Sequence, residues 1–304
     1  MRETSLRENV EYWLVMAVAR TLGAVPRGVA RLFAGALAFA VYHALGRLRR
    51  VGERNLELAF PGITAEKRAE LLRGVYRSLG RQLVEFCRMS GYTAENTRDW
   101  IRTEGLEYYL ASKARGKGVL IVTGHLGAWE LSSFYHSLMG YPMSMVIRRL
   151  DNRRLDAYVN AVRCLHGNRV LHKDEFARGL LTAMRAGETV GILMDTNMTP
   201  PQGVFVPFFG VEACTASGLA RVAQKTGAAV LPGLLLWEER ERQYVLRFGP
   251  ELRLAGSGDS EADAASNTAL FTGVIEAAIR EHPAQWLWMH RRWKTRPAGQ
   301  PPIY

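Results

Sequence analysis

The chain has 304 residues, of which 48% are hydrophobic, and this composition excludes a wholly disordered protein. Forty lysine and arginine residues against 29 acidic ones give a formal net charge of +11, which suggests an anionic partner: nucleic acid, an anionic membrane surface, or an acidic protein or substrate. The three cysteines form no CxxC pair, which disfavours a disulfide framework and a zinc site, so we expect neither a metal nor another cofactor.

An apolar stretch occupies most of the N-terminal region, from Val10 to Gly46, and three arginines and a proline interrupt it. Its longest uncharged run, residues 32–46, would form about 22 Å of helix, shorter than the roughly 30 Å hydrocarbon core of a bilayer. Two helices in the membrane interface therefore fit better than one spanning helix. A helical hairpin packed on the rest of the chain is the alternative, and the two are compatible. We assign residues 1–50 to membrane-associating helices and 51–304 to a single globular α/β domain.

The remainder of the chain predicts an α/β fold. Pro61-Gly62 forms a turn, and Thr64 is a plausible cap for a helix that continues to Phe86. Beyond residue 105, short apolar runs alternate with amphipathic helical patterns, which is typical of a central, mostly parallel sheet flanked by helices. The predicted strands are 118–122, 143–147, 188–194, 228–236 and 244–248, and the predicted helices are 128–139, 152–166, 175–186 and 216–227.

Polar residues follow three of these strands. His125 follows the first, Arg148 the second and Asp195 the third. Because reactive groups in such sheets lie beyond the carboxyl ends of the strands, we expect these three residues to form one site. We expect the first two strands to be neighbours, which would put Arg148 within reach of His125. Purely structural roles are the alternatives. Arg148 could be a solvated charge at a strand end, and Asp195 could form a turn before Pro200-Pro201.

The segment GHLGAWE carries the candidate catalytic residues. His125 lies between Gly124 and Gly127, and these glycines would allow a substrate to approach closely. Glu130, near the start of the next helix, could hydrogen-bond to the imidazole and fix its tautomer, as in acid/base catalysis. A structural histidine is the alternative.

Motifs of other enzyme classes are missing from the sequence. There is no GxSxG elbow, P-loop, HExxH or dinucleotide-binding fingerprint. A histidine without a serine or cysteine nucleophile suggests direct transfer, in which the base deprotonates an acceptor that attacks an activated donor.

Several ordered blocks resemble the lipid A acyltransferase family, within the wider lysophospholipid acyltransferases, over almost the whole chain. They are RNLELAFPGIT, GHLGAWE, VIRRLDNRRLD, ILMDTN, GVFVPFFGVEACTASGLARVAQKTGAAVLP and QWLWMHRRWKTRP. In the third block the family usually reads Arg-Pro-Leu-x-Asn-Pro, whereas this chain has Arg149 and Arg153 in place of the two prolines. These departures bear on the identity of the acceptor more than on the type of reaction.

The resemblance implies transfer of a fatty acyl group from a thioester, on acyl carrier protein or CoA, to a hydroxyl of a phosphorylated glycolipid, a lipid A precursor. His125 would be the general base and Glu130 its partner, and Arg148 would bind a substrate phosphate or the developing oxyanion. Gly124, Gly127 and the Asp195-Thr-Asn197 segment would contribute to substrate binding. The resemblance also implies the cytoplasmic face of the inner membrane. The same chemistry on another glycolipid, an aminolipid or a lysophospholipid is the alternative, and a non-catalytic basic protein is another.

Two further segments have more than one interpretation. VFVPFF (204–209) could be part of the core, or it could line the base of an acyl channel. The C-terminal tail interleaves Trp286, Trp288 and Trp293 with basic residues, a mixture that suits nucleic acid, a membrane interface or a phosphorylated headgroup. The apolar N-terminus favours lipid, so we expect a membrane surface and no nucleic acid as partner.

Overall fold

The fold is α/β, as the sequence predicts, with a central and mostly parallel sheet between layers of helices. A computed structural model describes residues 5–172 and 176–304, so residue 175, the predicted start of one helix, lies outside the described residues. The helices, in chain order, are α1 (Leu6–Ala24), α2 (Arg27–Ala44), α3 (Gly46–Ala59), α4 (Ala65–Arg88), α5 (Ala94–Thr97), α6 (Leu106–Ala114), α7 (Trp129–Leu138), α8 (Arg153–Arg163), α9 (Phe176–Arg185), α10 (Gly218–Thr226) and α11 (Ser260–Glu281). The strands are β1 (Ile101–Glu104), β2 (Val119–Thr123), β3 (Ser144–Ile147), β4 (Arg169–His172), β5 (Thr189–Leu193), β6 (Gly203–Phe208), β7 (Val211–Ala216), β8 (Ala229–Glu238) and β9 (Gln243–Phe248).

The central sheet has the strand order β1-β9-β8-β2-β5-β3-β4, and neighbouring strands are parallel except β8 and β9. All five predicted strands are present, because strands buried on both faces appear in the sequence as apolar runs. The two strands of the central sheet that the sequence does not predict, β1 and β4, form the edges of that sheet. Their sequences, IRTE and RVLH, have at most one buried position, so they lack that signal.

The two faces of the sheet pack against different helices. On β2, Ile121 belongs to one core cluster together with Leu131 and Phe134 of α7. Its neighbours Leu120 and Val122 belong to a second cluster, which contains residues of α9, α10 and α11 and the C-terminal tryptophans. Residues that follow β2 therefore lie between two separate apolar cores.

The segment VFVPFF forms most of β6 and the start of a tight turn, and its Val206, Phe208 and Phe209 are buried, whereas Pro207 is exposed. Strands β6 and β7 form a separate antiparallel pair. Phe208 is fully buried, with its ring centroid 5.6 Å from that of Trp286 and 5.7 Å from that of Trp293. The core interpretation of this segment is thus the one that the structure favours.

The N-terminal helices pack on α4, as in the hairpin alternative. Ala34 of α2 is buried, and a Cβ atom on Gly80 of α4 would come within 3.1 Å of the Ala34 carbonyl oxygen. The fully buried Glu85 carboxylate of α4 accepts hydrogen bonds from Arg31 Nη2 (3.0 Å) and from the Tyr92 hydroxyl (2.5 Å). A buried carboxylate is tolerated only when it is paired in this way, so these contacts fasten α2 to the domain. A domain boundary at residue 50 stays a prediction.

Large apolar side chains on α1 and α2 are nevertheless exposed. We call five of them the N-terminal apolar surface: Trp13, Leu14, Leu32, Phe33 and Phe39. Among the described helices, none is by itself long and apolar enough to cross a bilayer, and α2 with α3, which meet at an 85° bend, satisfy that criterion only as a pair.

Candidate active site

His125 and Asp195 meet at the carboxyl ends of two neighbouring strands. His125 follows β2 and Asp195 follows β5, and these strands pair in register from Val119 opposite Thr189 to Thr123 opposite Leu193. The imidazole Nδ1 lies 2.9 Å from Asp195 Oδ1, and the His125 backbone N–H donates to Asp195 Oδ2 over 2.6 Å. The sheet therefore places an imidazole–carboxylate pair where the sequence predicts polar residues from two strands.

The Asp195 carboxylate is buried, with 1% of its surface exposed, and the Trp286 indole also donates to it over 2.7 Å. Burial by itself raises the pKa of this carboxyl, but the His125 charge and the hydrogen bonds from His125 and Trp286 outweigh burial and bring the pKa down to about 2. Asp195 is therefore ionised at neutral pH and is more than a turn-former.

The same carboxylate fixes the state of the imidazole. Because an ionised carboxylate only accepts hydrogen bonds, the Nδ1 nitrogen of His125 carries a proton, and in the neutral ring Nε2 is then an acceptor. Burial lowers the pKa of His125, but the Asp195 carboxylate outweighs burial and leaves the pKa above 6.5. The His125 side chain is 23% exposed, so a proton donor can reach it.

Glu130 does not hydrogen-bond to His125, contrary to the interpretation drawn from the sequence. Its two carboxylate oxygens accept from Arg163 of α8, Oε2 from Nε over 2.8 Å and Oε1 from Nη2 over 2.5 Å. The partner of the imidazole is Asp195. Glu130 acts on His125 only through its charge, which raises the pKa of the ring. A catalytic role for Glu130 stays a prediction.

Arg163 was missed by sequence reasoning, although a signal exists. It lies four and eight residues after Val159 and Leu155, so it shares the apolar face of α8. A charged residue on the inward face of an amphipathic helix needs a buried partner, here Glu130.

Close contacts within the protein explain why positions 124 and 127 are glycines. A Cβ atom on Gly124 would lie 3.0 Å from Asp195 Oδ2, and one on Gly127, whose φ is +66°, would lie 2.1 Å from the Leu235 carbonyl oxygen. The first glycine leaves room for the carboxylate and the second lets the loop approach β8. Direct contact of either with substrate stays a prediction.

Arg148 is farther from His125 than the sequence suggests. The prediction placed β2 and β3 side by side, but β5 lies between them, because the chain returns to the middle of the sheet after β4. The Arg148 side chain is 78% exposed and pairs with Asp151 over 3.0 Å. Its binding of a substrate phosphate stays a prediction, and titrating the KM of Arg148→Lys for each substrate would test it.

Asn197 connects the site to the C-terminal tail. Its backbone N–H donates to His290 Nε2 over 3.0 Å, and its side-chain amide exchanges two hydrogen bonds of 2.9 Å with Thr295. Both ends of the amide are therefore engaged within the protein, and a contact of Asn197 with substrate stays a prediction.

The C-terminal tryptophans do not lie on the surface, so they form no binding surface for nucleic acid or for lipid, contrary to the interpretations of the tail. Trp286 is 1% exposed, and Trp288, Trp293 and Arg292 are 0% exposed. Arg292 donates to the Cys214 carbonyl (3.0 Å) and to Thr215 Oγ1 (2.5 Å). The three tryptophans and Arg292 are therefore part of the core, whereas Lys294 is exposed, and the buried tryptophans cannot stack on bases or headgroups.

A narrow, mainly apolar cleft runs between α7 and the sheet. Glu130 and Arg163 line it together with Trp129, whose ring centroid lies 5.2 Å from that of His125. Its other lining residues include Ile121, Met143, Met145, Val146, Leu193, Leu246 and Phe248. The imidazole thus lies beside an apolar space suited to a flexible hydrocarbon chain.

We predict that Asp195→Asn lowers the pKa of His125, because burial would then act without the carboxylate. In the wild-type protein NMR titration of the His125 ring should give a pKa above 6.5. Asp151→Asn, a matched change of an exposed carboxylate, should leave it in place. A wild-type pKa below 6.5, or one unchanged by Asp195→Asn, would contradict the assigned pair.

Comparison with known proteins identifies the family. Residues 1–295 match the family described as bacterial lipid A biosynthesis acyltransferase. The chain is 31% identical over 261 residues to the lipid A biosynthesis palmitoleoyltransferase of Escherichia coli (strain K12), covering 86% of this chain and 83% of that one. It is 28% identical over 293 residues to the lipid A biosynthesis lauroyltransferase of the same organism, covering 96% and 94%. The lipid A biosynthesis myristoyltransferase of that organism is 20% identical over 259 residues, covering 84% and 79%. The chain therefore belongs to the bacterial lipid A biosynthesis acyltransferases.

Proposed function

We propose that this acyltransferase moves a fatty acyl group from a thioester to a hydroxyl of a lipid A precursor, with His125 as general base. The observation that carries the proposal is the His125–Asp195 pair at the mouth of the apolar cleft. The Asp195 carboxylate holds the ring with Nε2 as acceptor and stabilises the imidazolium that forms when it takes a proton.

The reaction balances without a covalent enzyme intermediate. The acceptor hydroxyl gives its proton to His125 Nε2 while its oxygen bonds to the thioester carbonyl carbon. The carbon–sulfur bond then breaks, and the imidazolium returns the proton to the departing sulfur, so an ester and a free thiol are formed. A thioester is activated enough for this direct route.

The cleft between α7 and the sheet is where we place the donor's acyl chain. Its walls are mostly apolar, and burial stabilises a hydrocarbon chain by about 0.8 kcal/mol per methylene. The Glu130–Arg163 pair lies at the same cleft, so the Arg163 guanidinium is a charged donor close to the reacting carbonyl. We assign Glu130 the role of holding that guanidinium in place.

The positive net charge of the chain supports an acidic donor carrier and a phosphorylated acceptor. The formal charge of +11 favours acidic partners, and both acyl carrier protein, or CoA, and a phosphorylated glycolipid are anionic. Lipid A acyltransferases act on a lipid, so we place the N-terminal apolar surface against the cytoplasmic face of the inner membrane.

We predict that His125→Ala lowers kcat by about 10²–10⁴-fold, the usual contribution of a general base. The assay uses purified protein with acyl carrier protein or CoA thioesters and a detergent-dispersed lipid A precursor, and mass spectrometry identifies the product. The activity of the wild type should also fall as pH drops below the His125 pKa, because the protonated ring cannot accept a proton. A variant with near wild-type turnover would exclude His125 as the base. Transfer only to another glycolipid, an aminolipid or a lysophospholipid would keep the chemistry and replace the acceptor.

We predict that Glu130→Gln and Arg163→Lys each reduce kcat/KM by about 10–100-fold, the cost of a lost charge-assisted hydrogen bond. Glu261→Gln is the matched control, because it breaks the exposed two-bond pair with Arg221 and should leave the rate unchanged. If Glu130 instead oriented the imidazole, Glu130→Gln would be far more damaging than Arg163→Lys.

We predict that replacing both Trp13 and Leu14 by Asp weakens binding to anionic phospholipid vesicles by about tenfold or more. Point changes are preferable to deleting the helices, because α1 and α2 also cover α4. Leu110→Asp on α6, which is 41% exposed, is the control for an apolar residue away from this surface. Equal vesicle binding by the double variant and the wild type would exclude the N-terminal apolar surface as the anchor.

A further inference from the structure

A second apolar space is an open groove between α2, α4 and the C-terminal tail. Leu37 and Val41 of α2 form one wall, and Tyr76 and Leu79 of α4 form another. Leu287 and His290 are also among its lining residues.

Backbone contacts connect the tail, which lines the groove, to His125 and its neighbour Leu126. The Leu287 N–H donates to the His125 carbonyl oxygen over 3.0 Å, and Leu126 pairs with Trp286 in an isolated bridge. The groove's Ala38 and Tyr76 belong to the core cluster of Val122 and Leu126, whereas the first cleft lies in the cluster of Ile121 and Ala128. The groove and the cleft under α7 are therefore lined by different core clusters, and the segment that contains His125 contacts both clusters.

The outer end of the groove lies on the apolar part of the surface. Leu37 and Leu48 line it and are 45% and 40% exposed, and Leu37 lies on the same helix as Leu32, Phe33 and Phe39 of the N-terminal apolar surface. Exposed apolar side chains of α2 therefore lie next to the apolar lining of the groove. This continuity indicates a lipid chain as the occupant.

We propose that this groove binds an acyl chain of the acceptor lipid while the donor's chain occupies the cleft under α7. The inference rests on the proposed function, because only a transferase with a lipid acceptor needs two hydrocarbon sites at once. The acceptor's hydroxyl is thereby brought to His125 from the side opposite the thioester.

The test compares two equivalent changes of half-exposed leucines. Leu37→Glu puts a charge in the groove, whereas Leu110→Glu on α6, which is 41% exposed, changes a surface away from both the groove and the N-terminal apolar surface. In detergent-dispersed assays Leu37→Glu should raise the acceptor KM by at least about tenfold more than Leu110→Glu does. Neither should alter the donor KM. Thermal unfolding of each variant verifies that it is folded.

A further variant tests the groove without adding a charge. Leu79→Trp fills the groove and should also raise the acceptor KM by about tenfold or more.

Equal acceptor KM values for Leu37→Glu and Leu110→Glu, or an unchanged value for Leu79→Trp, would overturn the proposal. A raised donor KM with an unchanged acceptor KM would assign the groove to the donor and overturn it as well. Failure of the proposed function is distinguishable, because the wild-type protein would then transfer no acyl group at all.

Discussion

The buried carboxylate of Asp195 is the constraint on which the site depends. It accepts hydrogen bonds from the His125 backbone, the His125 ring and the Trp286 indole, which come from different parts of the chain. A buried charge with fewer partners would be protonated or would destabilise the fold. The carboxylate therefore joins the ends of β2 and β5 and the C-terminal tail, and the same contacts that stabilise it orient the imidazole.

Several local features make sense as consequences of this carboxylate. Gly124 has no side chain because Asp195 Oδ2 occupies the space beside it. The tail is folded inward with three buried tryptophans, and this arrangement keeps Trp286 beside Asp195. The resulting environment combines a low dielectric with three hydrogen-bond donors, which keeps the carboxyl ionised despite its burial.

The sequence predicts the fold class, and it places His125 and Asp195 at the ends of strands, because both inferences depend on local patterns. Apolar runs mark the buried strands, and polar residues at their ends mark the site edge. Which of these residues touch is a matter of strand order, which the sequence does not reveal. The adjacency expected for β2 and β3 was wrong for that reason, because β5 lies beside β2 and brings Asp195 next to His125. The tail was misjudged because the alternation of tryptophan and arginine looks the same in a buried core as on a binding surface.

The buried Glu85 has a consequence for how far the site lies from a bilayer. Because its carboxylate binds Arg31 and Tyr92, α2 is held to α4 by buried polar contacts. If the N-terminal apolar surface is the membrane contact proposed above, these contacts would also fix the distance between the lipid headgroups and His125.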